Sequence, residues 1–229
     1  MAESCSPLDI LEPSTADIRT MSTAEKPDKS NPELPMGYSA VPRGKLANAV
    51  TCLEMTEKPL PREARNIAGL SLERMPAPDP QTYRQLFRAI GEDWLWVSRL
   101  VMTDEALKAI IGDPLVEIYV LLSDGRQVGM LELDFRQPGQ CELVFFGLSK
   151  SAIGTGAGRY LMNHALSIAW AHPIERLWVH TCHFDHPNAL PFYQRSGFKP
   201  YAFMIEVADD PRLTGVLPRS AAPHVPILE

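Results

Sequence analysis

Residues Cys141–Leu161, CELVFFGLSKSAIGTGAGRYL, decide the fold: they read as a strand, a short glycine-rich turn and the start of a helix. Gly154, Gly156 and Gly158 alternate in the turn, so the backbone can approach a ligand without intervening Cβ atoms. The helix that follows opens with unpaired N–H groups and the positive end of its dipole, which suits a phosphate. Two phosphate loops fail to match. A P-loop needs GxxxxGK[ST], whereas Gly158 is followed by Arg159 and Tyr160. A dinucleotide fingerprint needs GxGxxG in the first βαβ unit and an acidic residue closing a later strand. This turn has a different spacing, comes late in the chain, and is followed by a Glu175 that precedes its strand.

Upstream, Val116–Leu122, Gln127–Phe135 and Gln140–Leu148 read as three strands, separated by the turn signals Ser123-Asp124-Gly125 and Gln137-Pro138-Gly139. They should pair as an antiparallel meander. Downstream, Gly158–His172 reads as a helix, and Leu177–Thr181 as a strand parallel to Gln140–Leu148. Asn188 is placed to cap a helix ended by Gly197, before a last strand over Phe198–Val207. Further upstream, Ala49–Met55 alternates weakly and Leu70–Met75 clearly. Asp79-Pro80 and Thr103-Asp104 start two helices, with the apolar knot Trp94–Val97 between them. The succession predicts an α+β fold: a mixed, mostly antiparallel sheet of six to seven strands with helices on both faces.

The 229 residues are 45% hydrophobic and 22% charged, ordinary for a soluble globular protein. A net charge of −6 without a lysine/arginine run argues against a nucleic-acid groove or an anionic membrane surface as partner. Cys5, Cys52, Cys141 and Cys182 form no CxxC, and no signal peptide or membrane-length apolar run is visible. Reduced thiols in a cytoplasm are the expectation. Residues 1–45 hold six prolines and one aromatic, Tyr38, too little apolar surface to offset the entropy of ordering. The expected layout is a Pro/Ser-rich tail over 1–47, one domain over 48–210, and an extension over 211–229 that trails off. A homodimer is compatible with the sequence.

The chain from Cys141 to Val207 resembles the GCN5-related N-acetyltransferase (GNAT) family. Its acyl-CoA motif, [QR]xxGx[GA] between strand and helix, corresponds to Ile153-Gly154-Thr155-Gly156-Ala157-Gly158. A later signature of alanine, FY and GF appears as Ala189, Phe192-Tyr193 and Gly197-Phe198. The usual Gln or Arg is replaced by Ile153, and His186 stands where many members carry Asn, with Asn188 two residues on. Either His186 or Asn188 is a candidate cofactor contact. The resemblance implies acetyl-CoA as acetyl donor and pyrophosphate bound by backbone amides of Gly154–Gly158. Phe146 and Leu148 would flank the thioester, and Lys150 and Arg159 would add charge.

The resemblance also implies chemistry. A primary ammonium with a pKa of about 10.4 must lose a proton before it attacks a thioester. A family glutamate at the position of Glu142 acts as general base, often through water; a solvent-facing or salt-bridged strand residue is the alternative. Tyr193 is the implied general acid for the CoA thiolate, against a tyrosine held by packing. The oxyanion falls to a backbone N–H near Phe146–Leu148. The implied enzyme is an N-acetyltransferase working in a ternary complex on a small-molecule or peptide amine, the alternative being a non-catalytic acyl-CoA sensor. His180, Cys182, His183, Asp185 and His186 offer metal-ligand types, but a strand puts His180 and Cys182 on one face and His183 on the other. No metal is expected.

Overall fold

A computed structural model of the chain describes residues 34–60, 62–63 and 67–229. The expected tail thus lies largely outside the described residues. Among the described residues seven strands form one sheet: β1 (Lys45–Met55), β2 (Leu70–Arg74), β3 (Val116–Ser123), β4 (Arg126–Asp134), β5 (Gln140–Leu148), β6 (Arg176–Cys182) and β7 (Lys199–Asp209). Four α-helices among the described residues complete it: α1 (Pro80–Gly91), α2 (Asp104–Ile111), α3 (Ala157–Ala169) and α4 (Ala189–Arg195). Their order in the sheet is β2-β3-β4-β5-β6-β1-β7. All neighbours are antiparallel except β5 and β6.

The meander forms as its turns dictate. Asp124 and Gly125 both take positive φ, 49° and 76°, the pair a two-residue hairpin of matching twist requires. α1 starts where Asp79 accepts hydrogen bonds from the amides of Gln81 and Thr82. Its buried Tyr83, Leu86, Phe87 and Ile90 repeat at helical spacing and pack, with α2, on Val116, Ile118, Val120 and Met130. α3 and α4 cover the opposite face, where Leu131, Leu133, Leu143, Leu161, Leu177 and Val179 form the larger core.

Two features differ from the sequence reading. β1 begins at Lys45, earlier than the domain start expected at residue 48, and slots between β6 and β7. Its weak alternation reflects a strand bonded on both edges and only half covered on its faces. Residues 210–229 do not trail off. Leu217, Ala221, Ala222 and Val225 are buried against Leu95 and Phe184. Arg212, itself buried, hydrogen-bonds both oxygens of buried Asp210 and the carbonyls of Ala221, Ala222, Val225 and Pro226. A guanidinium has five donors in a rigid fork, so one side chain can tie the whole segment.

Candidate active site

The ladder between β5 and β6 holds only from Gln140–Arg176 to Glu142–Trp178. Beyond it, β5 runs on to Leu148 and β6 to Cys182 without pairing, so the two strands open into a wedge. Each presents unpaired backbone N–H and C=O groups to the opening. A bulge sharpens the geometry. Between β4 and β5 the partners step from Glu132–Phe145 to Leu133–Leu143, leaving Val144 as the extra residue. Cys141, Leu143, Phe146 and Leu148 consequently all serve the α3/α4 core. Phe145 and Gly147 face α1 instead, and Glu142 lies on the same side of the strand beside Asp134 and Trp178; a Cβ on Gly147 would lie 2.4 Å from Ile90 and 2.8 Å from the Trp96 ring. Glycine there lets α1 and Trp96 press on the strand itself.

Glu142 stands at the apex, the last paired residue of β5. It is buried, at 5% exposure, which removes the solvent-facing alternative. Burial, reinforced by the charge of Asp134, pushes its carboxyl up to about 8. Arg99 and Arg136 pull the other way and do not prevail. Each is engaged elsewhere: Arg99 reaches Glu132 at 2.7 Å, beside the Tyr83–Glu132 hydrogen bond, and Arg136 reaches Asp134 at 2.5 Å. Asp134, Gln137, Gln140, Glu142 and Trp178 line a half-open cavity about the size of one water molecule. On β6, His180 places Nδ1 3.9 Å from the Glu142 carboxylate and remains solvent-accessible.

Tyr193 sits on α4, across the sheet from Glu142, and reaches the wedge through Phe146. Its ring meets Phe146 at 6.1 Å and Phe198 at 5.8 Å, while Phe146 stacks on Phe192 at 5.7 Å. Burial, with a lesser push from Asp185, raises its phenol well above the ordinary range. The packing role is therefore real, whatever its chemistry.

At the mouth of the wedge, Lys150–Ala152 make a single 3₁₀ turn and Ile153 is extended. Gly154 and Gly156 take φ of 81° and 101° and turn the chain into α3. Thr155 bonds back to the Ala152 carbonyl at 2.8 Å, fixing the loop. Among the described residues the amides of Gly154, Gly156 and Gly158 have no acceptor. That leaves donors free where α3 begins at Ala157, the arrangement an anion needs. Arg159, one helical position on, lies 5.0 Å over the Phe192 ring and bonds Ser196. Leu148 ends β5 beside Gly158, and Ile153 is 37% exposed without a polar group to offer. Lys150 is drawn to Asp93 at 2.9 Å rather than toward the glycines.

His186 and Asn188 meet in one local hydrogen bond. Asn188 stands at the N-cap of α4 but makes no side-chain cap bond; the His186 Nδ1 accepts its amide at 3.1 Å. His183 accepts the Ala49 amide at 3.0 Å, a tie to β1. Among the described residues no group of His, Cys, Asp and Glu converges for a metal. Trp96 Nε1 donates to Asp185 at 3.4 Å, joining the loop after α1 to the loop before α4. The segment 210–229 packs on Leu95 and Phe184, neighbours of those two groups, and His224 lies 3.3 Å from the Phe184 carbonyl. This support was missed from sequence. The buried-ion signal it left, Asp210 and Arg212 two residues apart, is too common to single out.

The family model described as Acetyltransferase (GNAT) family matches residues 82–198, just over half of the chain. The protein belongs to the GNAT family. No curated protein matches it by sequence. Among solved structures it is similar to a GCN5-related N-acetyltransferase from Sphaerobacter thermophilus: TM-score 0.54, 15% identity, 71% of this chain and 52% of that one. A conserved protein from Staphylococcus epidermidis gives TM-score 0.51 and 12% identity over 72% of this chain and 62% of that one. A GNAT-family protein from Novosphingobium aromaticivorans gives 0.50 and 18% over 75% and 70%. The chain thus spans between half and two thirds of the first two, and at these identities the likeness concerns the fold. No described helix is long and apolar enough to cross a membrane.

Proposed function

We propose that the protein transfers an acetyl group from acetyl-CoA to a primary amine by direct attack in a ternary complex. The observation that supports this best is Glu142, buried at the apex of a wedge whose mouth carries three glycine amides without acceptors. Those amides and the start of α3 hold the pyrophosphate, with Arg159 alongside. The open edges of β5 and β6 bond the amide-bearing pantetheine arm as a strand would, and bring the thioester beside Phe146. Acetyl-CoA supplies an activated carbonyl; the chain supplies the proton traffic.

Glu142 takes the proton of the attacking amine, through a water in the cavity beside it. A carboxyl at about 8 is mostly protonated at neutral pH and gains its base form as pH rises. Activity therefore rises with pH through about 8. Tyr193 hydrogen-bonds the departing sulfur and gives up its proton to it. Burial raises the phenol, but the same environment raises the thiol, so the transfer stays near balance. The acceptor enters from the α1 side, between Trp96 and the segment 210–229.

Incubation with acetyl-CoA and a panel of amines, following free thiol, tests the reading. Acceptor-dependent thiol release supports it; tight CoA binding with no release from any amine makes the protein a sensor instead. Glu142→Gln should lower kcat about a hundredfold or more and abolish the limb near pH 8. It should also raise stability at pH 8 more than at pH 5. A carboxyl whose folded-state value is raised holds a proton that the unfolded chain has lost between those limits, so the wild type loses stability as pH rises across the window. Tyr193→Phe should lower kcat while leaving the melting temperature nearly unchanged.

A further inference from the structure

A base buried as deeply as Glu142 must hand on each proton it takes, or it stays protonated after one turnover. Its surroundings offer few ways out. Arg99 and Arg136 keep their protons at any working pH and are tied to Glu132 and Asp134. Asp134 is buried with both oxygens on Arg136, and Glu132 is buried between Tyr83 and Arg99. The thiols of Cys52 and Cys141 are buried too, and burial pushes both up. The half-open cavity beside Glu142 has room for about one water, too weak a base to hold the proton, and its other walls, Gln137, Gln140 and Trp178, take up none. His180 is the exception. It follows Trp178, the last β6 residue paired beside Glu142, by two positions, so it stands on the same face where the wedge opens.

We infer that His180 is the proton carrier for Glu142, moving the proton of the attacking amine from the buried carboxyl to solvent. The inference rests on Glu142 acting as the base. The His180 Nδ1 lies 3.9 Å from the Glu142 carboxylate while 44% of the side chain meets solvent, so the ring touches both ends of the route. No other basic side chain among the described residues stands at ion-pair distance from that carboxylate. The Trp178 ring lies alongside, centroids 6.4 Å apart and planes 28° from parallel, which limits the swing of the imidazole. His183, His186 and His224 each engage a backbone group through a ring nitrogen, whereas His180 makes no hydrogen bond among the described residues. The cleft walls crowd the ring and hold it below its ordinary value, with Asp185 before α4 and Glu206 on β7 pulling the other way. It is therefore neutral, and able to accept, where Glu142 works. The gap is longer than a hydrogen bond and is spanned by one water or a small turn of the exposed ring. The carboxylate takes a proton from the amine as the new C–N bond forms. The resulting acid gives a proton to Nδ1 of the neutral ring, whose own hydrogen is on Nε2. The imidazolium then releases the Nε2 proton to a solvent base and regains its first tautomer by exchange with water. One proton leaves the amine, one reaches solvent, and nothing is oxidised or reduced.

His180→Ala in the full chain tests the route. At low buffer concentration kcat should fall about tenfold or more while KM for acetyl-CoA stays as in the wild type. Imidazole added to the solution should restore the rate in proportion to its neutral form. The wild type should not respond to imidazole, and Glu142→Gln, which lacks the group upstream, should not be rescued. A second readout needs no acceptor. In the free chain the ring nitrogen resonances of His180 should shift as Glu142 ionises near pH 8, and that step should be absent in Glu142→Gln. A His180→Ala chain as fast as the wild type, or slow and indifferent to imidazole, overturns the inference and leaves Glu142 as the base. So does a His180 ring whose resonances show no step near pH 8. Full activity in Glu142→Gln removes the base reading itself, and the inference falls with it.

Discussion

The glycine turn and the C-terminal segment flank the same wedge but are built from opposite materials. The turn, Ile153–Gly158, is backbone: the polar groups it offers are amides, and its conformation depends on glycines at φ 81° and 101°. The segment 210–229 is held by side chains, above all by Arg212 and the six acceptor atoms around it. A backbone site is indifferent to most side chains and intolerant of a Cβ at two positions. A side-chain knot depends on one residue.

The sharpest way to break that contrast is at Arg212. Arg212→Leu leaves the buried Asp210 carboxylate without its guanidinium, only the residue-212 amide still donating to it, and should cost about 3–5 kcal/mol, unless the segment opens first. Denaturant titration measures the loss, and hydrogen exchange over 210–226 shows whether opening is local. Acid should act at the same point. Burial pushes the Asp210 carboxyl up, but the hydrogen bonds from Arg212 outweigh it and hold the group below its ordinary value. Its contribution is intact above about pH 4 and is lost as pH falls through the lower folded-state value.

The turn should respond to smaller changes. Gly156→Ala forces an L-residue to φ 101° and should cost about 1–2 kcal/mol of stability, with a clear rise in KM for acetyl-CoA. Gly158→Ala meets only ordinary contacts, 3.5 Å to Leu148, and should fold as well as the wild type. Equal penalties at the two positions would remove the backbone argument. The smallest effect belongs to Ile153→Arg. It adds a cation at an exposed position beside the free amides and should tighten acetyl-CoA about two- to threefold, worth roughly 0.5 kcal/mol.

The same division explains what could be read from the sequence. The turn was legible because glycine spacing is itself the structural signal, and Asp79, Thr103 and Asp124-Gly125 likewise announce their caps and hairpin directly. Glu142 was legible as a residue but not as a buried acid at about 8. That value comes from burial in the folded sheet, reinforced by Asp134 on the neighbouring strand. Val144 as a bulge and the gap between β5 and β6 depend on register, which no local pattern encodes. The segment after Asp209 looked like a loose end because its order comes from one arginine meeting distant carbonyls. Four prolines in it give no hint of that.

β1 carries a consequence for how the molecule is made. It leaves the ribosome first among the strands, yet both its neighbours, β6 and β7, are among the last segments synthesised. At typical elongation rates of about 5–20 residues per second it waits on the order of ten to thirty seconds for a place in the sheet. The meander, α1, α2 and α3 can assemble meanwhile from neighbours in sequence. The closing event is the insertion of the oldest strand between the two youngest, and in the native state β7 is attached to the rest of the sheet only through it.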